Sequence, residues 1–216
     1  MKGSIWIKSS LDYTSAINLD PENDDLYFER AGVYAQLKQH ELAISDLSRA
    51  IEINPNDHEY YYYRGISYAL LKKYKDALND LTSSLAINPN FGDAYYQRGT
   101  VQIELGYKED ALRDLDDAIE ILSWDETHFL LPYAYSARGE LNFEFGNYEK
   151  ALLDYSELLK IAPQYTEGYL RRGIIYAVLG DYERAKADLL YGLEVIEDPE
   201  MKTEILKLLD DIENMP

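Results

Sequence analysis

The sequence predicts an all-α protein, an α-solenoid of helix hairpins closed by a C-terminal capping helix. Three observations point there. A pattern of small and aromatic residues returns every 34 residues: Gly65 recurs as Gly99, Ala77 as Ala111 and upstream as Ala43, and Pro89 as Pro55 and Pro21. Within one period, Tyr61, Gly65 and Tyr68 stand three to four residues apart and share one helix face. Tyr74, Ala77, Leu78, Leu81, Leu85 and Ile87 then do the same until Asn88-Pro89, where proline ends the helix. Lys72-Lys73 makes a polar turn between the two. A hairpin of this length cannot bury its apolar face alone, so copies stack and bury it against one another.

The repeat columns hold along the chain. An aromatic residue opens each first helix (Tyr27, Tyr61, Tyr95, Tyr135, Tyr169), and a small residue follows (Ala31, Gly65, Gly99, Gly139, Gly173). The second helix carries its own small residue at Ala43, Ala77, Ala111, Ala151 and Ala185, and Pro55, Pro89 and Pro163 close three copies. These columns resemble the tetratricopeptide repeat (TPR), in its Tyr-x-x-Arg-Gly form, over nearly the whole chain. The resemblance implies a right-handed α-solenoid that serves as a non-enzymatic protein–protein interaction scaffold.

In chain order, residues 1–23 are in register with a second helix alone, with Trp6, Tyr13, Ala16 and Pro21 in its columns, which makes a half repeat. Its partner helix would lie before Met1. Full repeats follow at 24–57, 58–91, 92–131, 132–165 and 166–198. From Gly99 to Gly139 the spacing is 40 residues, so six extra residues lie within LSWDETHFLL, 122–131. Insertions of this kind map to loops and often to a binding face. The favoured expectation is that the insertion's aromatics fill a wider groove between neighbours. Residues 199–216 open with Pro199 and carry the stripe Ile205, Leu208, Leu209 and Ile212; Lys207 stands where a repeat needs Gly or Ala, so this is a capping helix.

Composition narrows the function classes. Hydrophobic residues make up 46% of the chain, enough for a core, and no apolar run of about 18 residues offers a membrane span. The first ten residues hold only Ile5, Trp6 and Ile7 as large apolar groups, too few for a signal-peptide core, so a cytoplasmic location is expected. There is no cysteine, which excludes disulfides and thiolate chemistry. A net charge of −19 argues against nucleic acid, whose phosphates need clustered Lys and Arg. His40, His58 and His128 show no metal-ligand spacing, no glycine-rich phosphate loop is present, and carboxylate pairs such as Asp116-Asp117 read as solvated faces. No cofactor, metal or catalytic residue is expected.

A second ladder runs through the repeats. Arg30, Arg64, Arg98, Arg138 and Arg172 precede the small residue of each first helix, and Asp12, Asp46, Asp80, Asp114, Asp154 and Asp188 recur in the second helices. Each Arg fork is expected to bond an Asp of its own or the preceding repeat, with Asp12 serving the next repeat's arginine. As exposed pairs these would contribute about 0–1 kcal/mol each and set register. An anion-binding track is disfavoured because the Asp ladder neutralises it.

Binding is expected on the first-helix face that packing does not use, which the resemblance identifies as a peptide groove. Its columns supply Phe28, Glu29, Glu59, Tyr62, Tyr63, Asp93, Tyr96 and Gln97, then Glu140, Phe143 and Arg171. The surface is aromatic and acidic, which suits a basic or apolar protein segment. The family's carboxylate clamp for chaperone tails needs Lys and Asn, then Asn, then Lys and Arg. Here the columns read Phe28 and Gly32, Tyr63, and Asp93 and Gln97, so that clamp is absent. The alternative is a self-assembly element, forming homo-oligomers through the N-terminal half-hairpin or the 122–131 insertion.

Overall fold

The computed structural model describes the backbone of residues 2–214 and the side chains of residues 10–214, so Trp6 lies outside the described side chains. Among the described residues there are twelve helices and no strand. They are α1 (Lys2–Leu19), α2 (Asp24–Gln36), α3 (His40–Ile53), α4 (His58–Leu70), α5 (Tyr74–Ile87), α6 (Gly92–Glu104), α7 (Lys108–Leu122), α8 (Leu131–Glu144), α9 (Tyr148–Ile161), α10 (Glu167–Val178), α11 (Tyr182–Val195) and α12 (Pro199–Glu213). The chain divides into two compact units, residues 1–114 and 115–216.

In the first unit, buried Ala31, Ala43, Leu47, Ala50 and Tyr60 join α2, α3 and α4. A second cluster of Tyr62, Ala77, Leu81, Leu85, Ala94 and Val101 joins α4, α5 and α6. Helix α1 packs on α2: Ile17 is buried, and the Tyr13 hydroxyl donates to Glu29 Oε2 at 3.3 Å. The second unit is built likewise, around Ala151, Tyr155, Leu158, Leu159 and Ile175 and then around Leu170, Ala185, Leu189 and Ile196. Its end is covered by α12, whose Ile205 and Ile212 are buried and whose Asp198 caps the helix by accepting from the N–H groups of Glu200 and Met201.

The small residues of the columns set how closely paired helices approach. A Cβ on Gly65 would stand 3.0 Å from Leu81 Cγ, and one on Gly173 would stand 2.9 Å from Leu189 Cγ. The turn inside each hairpin is equally specific. Gln39 N–H reaches the Tyr34 carbonyl while Lys38 N–H reaches that of Ala35, and Lys73 and Lys72 repeat the pattern with Tyr68 and Ala69. This is a Schellman motif, which puts its central residue in the left-handed region. That position is Gly106, Gly146 and Gly180 in three hairpins but Lys38 (φ 60°) and Lys72 (φ 58°) in two.

The arginine ladder is more buried than the sequence implies. Every guanidinium grips the aspartate sixteen residues later, in its own hairpin; Arg64 Nε and Nη2 reach the two Asp80 oxygens at 2.7 and 2.8 Å. The five carboxylates are only 3–11% exposed, so these are not the exposed pairs expected. Helical spacing also lays each guanidinium over the tyrosine three residues before it, at 5.5–5.8 Å from the ring centre. The third nitrogen reaches back: Arg30 Nη1 donates to Thr14, Arg64 Nη1 to Ser48 and Arg138 Nη1 to Asp116. Asp12 is exposed, and the acceptor that α1 supplies to Arg30 is Thr14, two residues on.

Two stability outcomes follow from these contacts. Lys72→Gly relieves a left-handed lysine and is expected to raise unfolding free energy by roughly 0.5–1 kcal/mol; a loss in urea denaturation would contradict the turn geometry. Arg64→Met strands a buried carboxylate and is expected to cost about 3 kcal/mol. Adding Asp80→Leu should recover more than half of that loss, and failure to do so would show that the pair is not the cause.

Candidate functional site

The first-helix face of the first unit carries a run of rings. On α2, Asp25, Phe28, Glu29 and Gly32 share one face because they stand three to four residues apart. On α4 the corresponding face holds Glu59, Tyr63, Ile66 and Leu70. Phe28 contacts Tyr60 (ring centroids 5.2 Å apart) and Tyr63 (5.5 Å), Tyr63 contacts Tyr62 (5.0 Å), and Tyr62 contacts Phe91 (4.7 Å). Tyr63 remains 43% exposed, whereas Tyr62 is 6% exposed. The two tyrosines thus differ from the paired role expected of them: one residue turns a helical side chain by about 100°, and Tyr62 supports Tyr63 from behind.

The charge around these rings is negative. Glu29 and Glu59 are exposed, and among the described residues neither is paired with a cation. Tyr63 has its hydroxyl pKa pushed up by burial first, then by the fields of Glu59 and Asp93. Burial also raises that of Tyr62, Asp93 adding to it while the hydrogen bond with Gln97 works the other way. Asp93, Tyr96 and Gln97 lie on α6, half-buried. Asp24 plays a structural part instead: Asn54 Nδ2 and the Tyr60 hydroxyl both donate to it at 2.9 Å, and these bonds, Asn54's foremost, hold its carboxyl below the ordinary range.

Between α2, α3 and α4 this face opens into a pocket of about 350 Å³. Phe28, Glu29, Gly32, Gln36, Tyr63, Ile66 and Leu70 line it together with buried Ala31 and Leu47 and with His40. Of these, Gln36, His40 and Leu70 were not marked by the sequence columns. The signal that would have found the pocket is Gly32, the smallest residue of its column.

In the second unit Glu140, Phe143 and Arg171 come together, but around a pocket of only about 60 Å³. Tyr155 donates to Glu140 Oε2 at 3.0 Å, and Arg171 lies 3.6 Å from Glu140 and 3.4 Å from Glu167. Burial alone would lower the Arg171 pKa; Glu140, Tyr155 and Glu167 together hold it above its ordinary value. The acids here are already answered by the chain's own cation.

Family models described as Tetratricopeptide repeat match residues 25–57, residues 58–91, and residues 92–121 with 132–165. The chain is a tetratricopeptide repeat protein. Its fold is shared with solved TPR structures: YrrB, described as a TPR protein with an unusual peptide-binding site, superimposes with a TM-score of 0.75 at 23% identity, covering 90% of this chain and 97% of that one. MamA gives 0.71 at 21% identity over 85% and 96% of the two chains, and yeast Tom70 0.69 at 15% over 94% and 42%. Among curated proteins, the Protein SGT1 homolog of Oryza sativa subsp. japonica is 34% identical over 77 residues, 36% of this chain. The chain spans about a fifth (21%) of that relative's length.

The third family match of this TPR protein passes over residues 122–131. There Leu122, Leu130 and Leu131 turn inward and are buried, while Trp124 is 90% and Phe129 68% exposed. The aromatics therefore do not fill a groove between neighbours; the leucines anchor the loop. Asp125 fixes its bend by accepting from the N–H and hydroxyl of Thr127 at 3.0 and 2.6 Å, which lowers its pKa. Among the described residues no helix is long and apolar enough to cross a membrane, and no group of His, Asp or Glu is placed to hold a metal ion.

Proposed function

We propose that this TPR protein acts by binding, as a scaffold that takes a basic segment bearing apolar side chains along α2, α4 and α6. The observation that carries this reading is the pairing of exposed Tyr63 with Glu29 and Glu59, two carboxylates that meet no cation among the described residues. Phe28, Tyr63 and Tyr96 would supply apolar contact, with Glu29, Glu59 and Asp93 answering Lys or Arg and Gln97 offering a neutral hydrogen bond. Long-range charge mainly sets association rate and selectivity, while buried rings slow dissociation. The peptide-binding site in the description of YrrB lends support by fold analogy. The separate cluster of Glu140, Phe143 and Arg171 in the second unit, whose acids already face Arg171, is outside this reading.

The test is a peptide-library screen at two salt concentrations. Tyr63→Ala with Tyr96→Ala is expected to weaken capture by about 2 kcal/mol without unfolding the protein. Glu59→Lys with Asp93→Lys is expected to slow association and flatten its salt dependence. Predominantly acidic hits, or hits indifferent to both variants, would refute the reading.

Self-assembly is a second reading, favoured by the exposure of Trp124 and Phe129. It requires a particle mass that falls on dilution in light scattering and a monomeric Trp124→Ser/Phe129→Ser variant. A parent monomeric at every concentration would end it.

A further inference from the structure

We infer that the pocket over Gly32 is a socket for a single large aromatic side chain carried by that basic segment. The inference rests on the groove reading above and adds what the groove selects.

The first support is the absence of a side chain. At the register of Gly32 the other repeats carry Ile66, Thr100, Glu140 and Ile174. Glycine inside a helix is destabilising relative to any of these, and elsewhere in this protein it is explained by close packing, as at Gly65. Gly32 has no such explanation, since a Cβ built on it meets nothing within 4 Å. What the glycine leaves is the opening into the pocket.

The second support is the lining: buried Ala31 and Leu47, with Ile66 and Leu70, make the pocket apolar, so it takes an uncharged side chain.

Size and charge agree with these. About 350 Å³ takes one large ring, with the Phe28 and Tyr63 rings as walls for offset or edge-to-face contact. Glu29, exposed on the rim, faces the residues that flank the ring and favours lysine or arginine there.

The experiment uses the full chain and short fluorescein-labelled peptides Lys-Lys-Ala-X-Ala-Lys-Lys, with X as Trp, Tyr, Phe or Ala, followed by anisotropy. Trp, Tyr and Phe peptides are expected to bind about tenfold or more tighter than the Ala peptide. Gly32→Leu fills the socket, so the preference for X should vanish while the melting temperature does not fall. Gly32→Ala, one methyl in open space, should give a partial loss and covers the case of a Leu variant that folds poorly. The proposal is overturned if X makes no difference in the parent, or if the preference survives Gly32→Leu. In either case, peptides still weakened by Glu29→Lys with Glu59→Lys would leave the groove reading standing. If no peptide binds and these reversals change nothing, both fall.

Discussion

In each hairpin a guanidinium and a carboxylate sixteen residues apart are held together out of water, and much of the surrounding sequence keeps them so. A carboxylate with under about a tenth of its surface exposed is tolerable only while both its oxygens are answered. The tyrosine three residues before each arginine spreads beneath the guanidinium, and the small residue after it lets the second helix approach close enough for a bidentate grip. Asp154 shows how near the balance lies: burial, the largest influence, keeps its carboxyl pKa above the ordinary value although Arg138 and Asn142 both bond to it. The tyrosine, the arginine and the small residue of each first helix are thus one physical device. Removing any member leaves the others with an unpaid cost.

The hairpins were legible because a 34-residue period samples the same helix faces again and again, so accidental matches average out. The ladder was legible for the same reason, but its burial was not, since no letter records how closely two helices approach. Asp12 misled because a repeated letter does not imply a repeated contact when its own first helix is not in the described chain. Within the site, Tyr62 and Tyr63 are the same residue one position apart, and only the rotation of α4 decides which is core. The insertion has no period at all; that its leucines go in and its aromatics out is fixed by loop bonds such as Asp125 with Thr127.

The candidate site shows how one scaffold yields different surfaces. The same columns that give Arg171 a carboxylate partner in the second unit give Glu29 and Glu59 no cation among the described residues of the first. The same register that holds isoleucine in two repeats is emptied at Gly32. Neither change touches the Arg–Asp grip or the close-packed small residues, so variation on the candidate face is decoupled from the packing that holds each hairpin.

The backward reach of the third arginine nitrogen gives the stack a polarity. Arg30, Arg64 and Arg138 each borrow an acceptor from the helix that precedes their hairpin. In the first unit, losing α1 strips Arg30 of Thr14 and losing α3 strips Arg64 of Ser48, whereas losing a downstream hairpin leaves the upstream guanidinium satisfied. Fraying of that unit's two ends is thus unequal by construction, and amide exchange there should spread inward more readily from its N-terminal side.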